Sequence, residues 1–200
     1  MNRRAMTKVF YAALLALALL ACSPAADQTL AGTDLTGSAI TGTFDLLDKS
    51  GKPVKSAQFD GKYRIVYFGY AFCPDVCPVD VAVLMRGFER FAKDNPARAA
   101  KVQPIFITID PERDTPAVVG EFAANFSPRL LGLSGSRAQV DAAIAAFRVY
   151  AVKGAASSGG YLMDHSRHAY LLAPDGKPIE VLPVDKGAEA VARDLDIAIR

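Results

Sequence analysis

Cys73 and Cys77 stand four residues apart in Phe72-Cys73-Pro74-Asp75-Val76-Cys77-Pro78, and the two histidines of the chain stand three apart in Asp164-His165-Ser166-Arg167-His168. In a helical turn, residues i and i+4 share a face with Cα atoms roughly 6 Å apart, inside the range a disulfide tolerates. The pair can therefore close a bond or direct two sulfurs at one object. As a permanent staple it would gain only ~2 kcal/mol, because the loop it closes is so short. Redox catalysis and metal binding are the two chemistries that remain. Two thiolates suit a soft cation such as copper(I), and an imidazole would complete a trigonal site. On an extended strand, His165 and His168 face opposite sides, so at most one of them readily reaches the cysteines, and periodicity does not choose between them.

The cysteines need a scaffold that holds both sulfurs in a fixed relation. Ahead of them Tyr63 to Tyr70 is β-branched and aromatic, with Ile65 to Phe68 continuously apolar, the pattern of a central strand buried on both faces. Behind them Val81, Leu84, Met85, Phe88, Phe91 and Ala92 recur at helical spacing until Asp94-Asn95-Pro96 stops the helix. The positive end of that helix favours thiolate over thiol, and Pro74 and Pro78 restrict the backbone on either side of the pair. Three residues separate the cysteines, whereas thioredoxin-type reductases usually carry two.

The strand and helix pattern then repeats. Val102 to Ile109 reads as a second buried strand, and Thr115-Pro116 opens a helix with Val118, Phe122 and Phe126 on one face. Leu130 to Leu133 reads as a short strand, and Ser136 with Gln139 forms a capping box for a helix carrying Val140, Ile144 and Phe147. Such alternation implies right-handed crossovers and a mainly parallel central sheet. Gly154 to Gly160 (GAASSGG) lacks core-forming residues and reads as a mobile loop. Tyr161 to Leu182 holds two apolar runs split by Pro174-Asp175-Gly176, an antiparallel hairpin, and a helix over roughly 187–199 closes the chain. Near the start of the domain, Asp48-Lys49-Ser50-Gly51 splits two short apolar runs into another hairpin. The whole is similar to a thioredoxin-like α/β fold: a central mixed sheet flanked by helices, with an N-terminal β-hairpin and a β-hairpin insertion in the C-terminal half.

The N-terminus points to a compartment. Arg3, Arg4 and Lys8 precede an apolar stretch from Val9 to Ala21 that is short for a membrane span and reads as a signal peptide over 1–21. Leu19-Leu20-Ala21-Cys22 resembles a bacterial lipobox, which makes Cys22 the expected lipidation site and residues 22–39 a flexible tether to a domain over 40–200. With Cys22 lipidated, Cys73 and Cys77 are the domain's whole thiol content, in an oxidising compartment. Of 23 basic and 21 acidic residues, three basic ones lie in the signal peptide, so the rest is close to neutral and carries no electrostatic footprint for nucleic acid.

Three longer stretches resemble the SCO/SenC family of copper chaperones: FCPDVCP at 72–78, IDPERDTP at 109–116 and DHSRHAYLLAPDG at 164–176. The resemblance implies copper, as Cu(I) and possibly Cu(II), held by Cys73, Cys77 and His165, with His168 matching no family ligand. It implies delivery to the binuclear copper A centre of cytochrome c oxidase, with oxidase subunit II or a periplasmic copper carrier as partner. The competing reading is a membrane-anchored thiol/disulfide reductase in which Cys73 and Cys77 are the redox-active catalytic pair. Either way the domain is expected to face the periplasm on a bacterial membrane. In IDPERDTP, a strand end, a turn at Asp110-Pro111 and an N-cap at Asp114 or Thr115 make a scaffold. Asp164 or a backbone carbonyl would orient the His165 ring. Met85 and Met163 are soft enough to bind copper, but each reads as packing.

Overall fold

The computed structural model describes residues 29–155 and 160–200. The expected signal peptide, Cys22, the first part of the tether (22–28) and the centre of the GAASSGG loop lie outside the described residues. Strands β1 (Thr33–Asp34), β2 (Asp45–Leu47), β3 (Pro53–Lys55), β4 (Tyr63–Gly69) and β5 (Val102–Thr108) are followed by β6 (Leu131–Leu133), β7 (Ala151–Lys153), β8 (Met163–His165), β9 (Ala169–Leu172) and β10 (Pro178–Val181). The helices are α1 (Val76–Asp94), α2 (Pro96–Ala99), α3 (Pro116–Ala124), α4 (Arg137–Ala146) and α5 (Ala188–Ala198).

Six strands form the central sheet in the order β1-β10-β9-β4-β5-β6. β4, β5 and β6 run parallel, and β9, β10 and β1 add on antiparallel, so the sheet is mixed, as the expected fold has it, although fewer of its pairings are parallel than the strand and helix alternation implies. Period-two alternation puts Ile65 and Tyr67 of β4 in one core with α1, α3 and α5, and Val66 and Phe68 in the other with α4 and the β2–β3 hairpin. The expected hairpins, the capping box at Ser136 and Gln139, and the closing helix are all present.

Two features differ from the sequence expectation. The folded unit begins before residue 40: β1 pairs with β10, and the Ala31 and Gly32 N–H groups each donate to Asp194 Oδ2 at 2.8 Å. A small, polar segment is ordered here by acceptors on α5 and β10, which local composition does not reveal. The second is a ribbon of β7 and β8, with Ala151 opposite His165. Its first strand has exposed Val152 and Lys153 and lacks an apolar period, so only the partner strand defines it. Among the described residues no helix is long and apolar enough to cross a membrane.

Candidate metal centre

Strand β4 ends at Gly69, and the chain turns through Tyr70 to Asp75 into α1. Gly69 is required by proximity: a Cβ there would lie 3.1 Å from Cys77 Sγ and 3.1 Å from a Phe106 ring carbon. Cys77 is in the first turn of α1 and fully buried, whereas Cys73 lies ahead of the helix, not on a shared helical face as expected. The Cys77 N–H donates to Cys73 Sγ at 3.4 Å, so the sulfur takes up one of the free donors at the helix start. Both cysteines are free thiols.

The ribbon brings His165 to this turn. The Nε2 atom of His165 is 3.2 Å from Cys77 Sγ, and Nδ1 is 2.9 Å from the Ser166 carbonyl oxygen. A carbonyl can only accept, so Nδ1 carries the proton and Nε2 turns its lone pair toward the thiol. The ring is thus oriented by a backbone carbonyl, one of the two expected candidates. His168 lies elsewhere, its Nδ1 3.3 Å from the Tyr170 hydroxyl. The segment is not one strand: β8 ends at His165, the chain bends, and β9 begins at Ala169, which separates the two imidazoles. Met163 and Met85 are packed in the two cores.

Electrostatics make the thiols unequal. Burial pushes the Cys73 thiol up, but hydrogen bonds from the Asp75 N–H, the Cys77 thiol and N–H, and the Tyr70 hydroxyl outweigh it, and its pKa falls below the ordinary thiol value. Cys77 moves the other way, raised by burial, by the hydrogen bond with Cys73 and by the nearby Cys73 and Asp80 charges. Burial lowers His165, against a partial opposing pull from the Ser166 carbonyl. The resting centre is therefore a neutral Cys77 thiol that donates to the more acidic Cys73, with its sulfur 3.2 Å from Nε2 of a neutral imidazole. Among the described residues, no group of three His, Cys, Asp or Glu side chains already closes around one point. The donors are adjacent, and a metal would have to draw them together.

Several neighbours escaped the sequence reading. Asp80, one turn after Cys77 and only 4% exposed, accepts from the Tyr67 hydroxyl at 2.9 Å and from Arg167 at 2.6 and 2.9 Å. A carboxylate in the apolar stripe of α1 was the available signal. The IDPERDTP segment is scaffold, as expected, and it acts on the cysteine turn directly. Thr115 is the N-cap of α3, while the buried Asp114 accepts the Ala71 N–H at 2.8 Å and the Thr108 hydroxyl at 2.6 Å. Arg113 pairs with Asp110 and spreads its guanidinium over Tyr70, Phe72 and Tyr161. A cleft of about 740 Å³ beside Pro96 and Leu130 lies away from the cysteines, and neither a thiol nor an imidazole lines it.

Known proteins place this constellation. A family model described as SCO1/SenC matches residues 32–200. The mitochondrial SCO2 homolog of Mus musculus is 38% identical over 155 residues, 77% of this chain and 60% of the relative. Protein SenC of Rhodobacter capsulatus is 36% identical over 161 residues, 80% of this chain and 71% of the relative. The chain spans about half the length of several other mitochondrial relatives it matches. Among solved structures, Bradyrhizobium japonicum ScoI with copper bound superposes with a TM-score of 0.71 at 40% identity, over 79% of this chain and 98% of that one. A match through nearly all the described residues, with the cysteine turn and histidine ribbon inside it, means that the chain belongs to the SCO1/SenC family.

Proposed function

We propose that this protein binds copper through Cys73, Cys77 and His165 and delivers it to the binuclear copper A centre of cytochrome c oxidase. The observation that carries the reading is the His165 lone pair held 3.2 Å from Cys77 Sγ by the Ser166 carbonyl. The donor set fits: two sulfurs and one imidazole suit soft copper(I) better than a hard, oxygen-preferring cation. ScoI, at 40% identity, is a relative whose structure holds copper. Loading the site costs the Cys77 thiol its proton, so affinity rises with pH. The recipient is oxidase subunit II, or a periplasmic carrier between the two. A lipid at Cys22 would hold the domain on the periplasmic side of a membrane, beside a membrane-embedded target, and several acyl chains make such an anchor firm.

The unequal thiols favour a second reading, a thiol/disulfide reductase. Cys73, the more acidic, would attack a partner disulfide and expel one partner thiolate. Deprotonated Cys77 would then attack Cys73 Sγ, expel the second and close the Cys73–Cys77 bond, two electrons passing to the partner.

An anaerobic copper(I) titration of the reduced protein against a chromophoric chelator separates the two. The expected result is one tight equivalent, lost in Cys73→Ala and Cys77→Ala and weakened in His165→Ala, which retains reductase activity. A wild type that fails to compete for copper overturns the chaperone reading and leaves the reductase.

A further inference from the structure

The segment that carries His165 is tied down on both sides. Upstream, Arg113 Nη1 donates to the Tyr161 carbonyl at 2.8 Å while its guanidinium covers the Tyr161 ring at 3.7 Å. Downstream, Arg167 forks onto Asp80, with Nε on Oδ2 at 2.9 Å and Nη2 on Oδ1 at 2.6 Å. The Tyr67 hydroxyl, fully buried on β4, fixes the same carboxylate from below at 2.9 Å. Asp80 and Cys77 are three apart on α1 and so share a face. Arg167 and His165 are separated only by Ser166. One ion pair therefore spans the two halves of the metal centre.

Resting on the copper reading above, we propose that Asp80 and Arg167 are its positioning residues: their ion pair latches the 165–168 segment onto α1, keeps His165 facing Cys77, and sets by its opening how fast the metal leaves. Two residues of chain reach at most about 7 Å, so while Arg167 stays forked on Asp80 the histidine has little travel. The two ends of the latch differ. The Asp80 side chain is 5% exposed and that of Arg167 is 53% exposed, so water reaches the guanidinium but not the carboxylate. Opening leaves a buried carboxylate with one donor, which is costly, so the closed form dominates and the open form is a minor release state. Bidentate geometry is what makes the residue specific: lysine offers a point charge and cannot fork. Ser166 supports the closed form, exchanging bonds with Tyr150 through its N–H at 2.9 Å and its hydroxyl at 3.0 Å.

The test uses the reduced full chain and the variants Arg167→Gln, Arg167→Lys and Asp80→Asn with Arg167→Gln. In the metal-free protein, ¹⁵N spectra of the His165 ring report the latch without copper: wild type should show one Nδ1–H tautomer, and Arg167→Gln a mixture. Copper(I) release to a chelator should quicken about 10- to 100-fold in Arg167→Gln, the usual effect of losing a partner that orients a ligand. Arg167→Lys should fall between, and the double variant should release no faster than Arg167→Gln. A lowered melting temperature with unchanged tautomer and release rate would mean an ordinary ion pair and overturn the latch. A wild type with a single tautomer but no copper binding would overturn the copper reading and leave the latch standing. If the double variant does not fold, the two Arg167 variants carry the decision, since that side chain is half exposed.

Discussion

Raising the pH should loosen this protein through one buried carboxyl, Glu180. The residue is fully buried on β10, and the group its carboxyl meets is the Asp194 side chain, to which it can hydrogen-bond only while it keeps its proton. Burial, the Asp194 carboxylate beside it and the charge of Asp34 push its pKa from the ordinary 4.5 to about 8. Below 4.5 the group is protonated whether the chain is folded or not, and its contribution is fully present. Between 4.5 and 8 the folded protein holds one more proton than the unfolded chain, so stability falls by about 1.4 kcal/mol per pH unit. The ceiling is about 5 kcal/mol over that window, a large share of a typical stability of about 5–15 kcal/mol. For a domain of this size it corresponds to a drop of about 10 °C or more in Tm. Glu180→Gln keeps the shape and removes the titration. Urea unfolding from pH 5 to 9, under reducing conditions, should give wild type a falling profile and the variant a flatter one, the variant being the more stable above pH 8. Other groups titrate in both proteins, so the difference between the profiles is the measurement. Parallel profiles would refute the reasoning. The strand that should loosen first is β1, because Ala31 and Gly32 dock on Asp194 and a Cβ at Gly32 would lie 2.2 Å from Glu180 Oε2.

Three further outcomes follow from other parts of the structure. Iodoacetamide should modify Cys73 well before Cys77, since the first thiol is lowered in pKa and the second is raised and fully buried; peptide mapping that finds equal rates would contradict the asymmetry. Asp114→Ala should cost about 3 kcal/mol in chemical denaturation, by stripping the acceptor from the Ala71 N–H and the Thr108 hydroxyl, and should speed Cys73 alkylation by loosening its turn. Gly87→Ala should destabilise by about 2 kcal/mol despite alanine's better helix propensity, because the new Cβ would stand 2.6 Å from Val191 Cγ1 and 2.8 Å from the Ala188 carbonyl; a gain in stability would show that α1 and α5 can part without loss.

Much of the fold was legible because its signals are local. Apolar runs mark β4 and β5, helical spacing marks α1, and Ser136 with Gln139 marks the start of α4, none of which depends on a tertiary contact. The parts that were not legible are those whose partners are distant in sequence. β1 is a two-residue polar strand that exists because β10 and Asp194 supply its bonds, more than 140 residues away. β7 has no pattern of its own and is defined by β8 across the Gly154 to Gly160 loop.

The same division runs through the candidate metal centre. By itself the sequence determined the donor types, the four-residue spacing of Cys73 and Cys77, and their place between a buried strand and a helix, since strand period, proline and helix spacing are properties of neighbouring residues. It left Asp164 and a carbonyl open as the ring's partner, and its geometry could not choose between two histidines three apart. Only the tertiary structure decided that His165 meets Cys77, that the Ser166 carbonyl sets its tautomer, and that Asp80 and Arg167 join the two halves. Those contacts span 87 or 88 residues or depend on a bend between β8 and β9, and a chain reads its distant partners only when it folds.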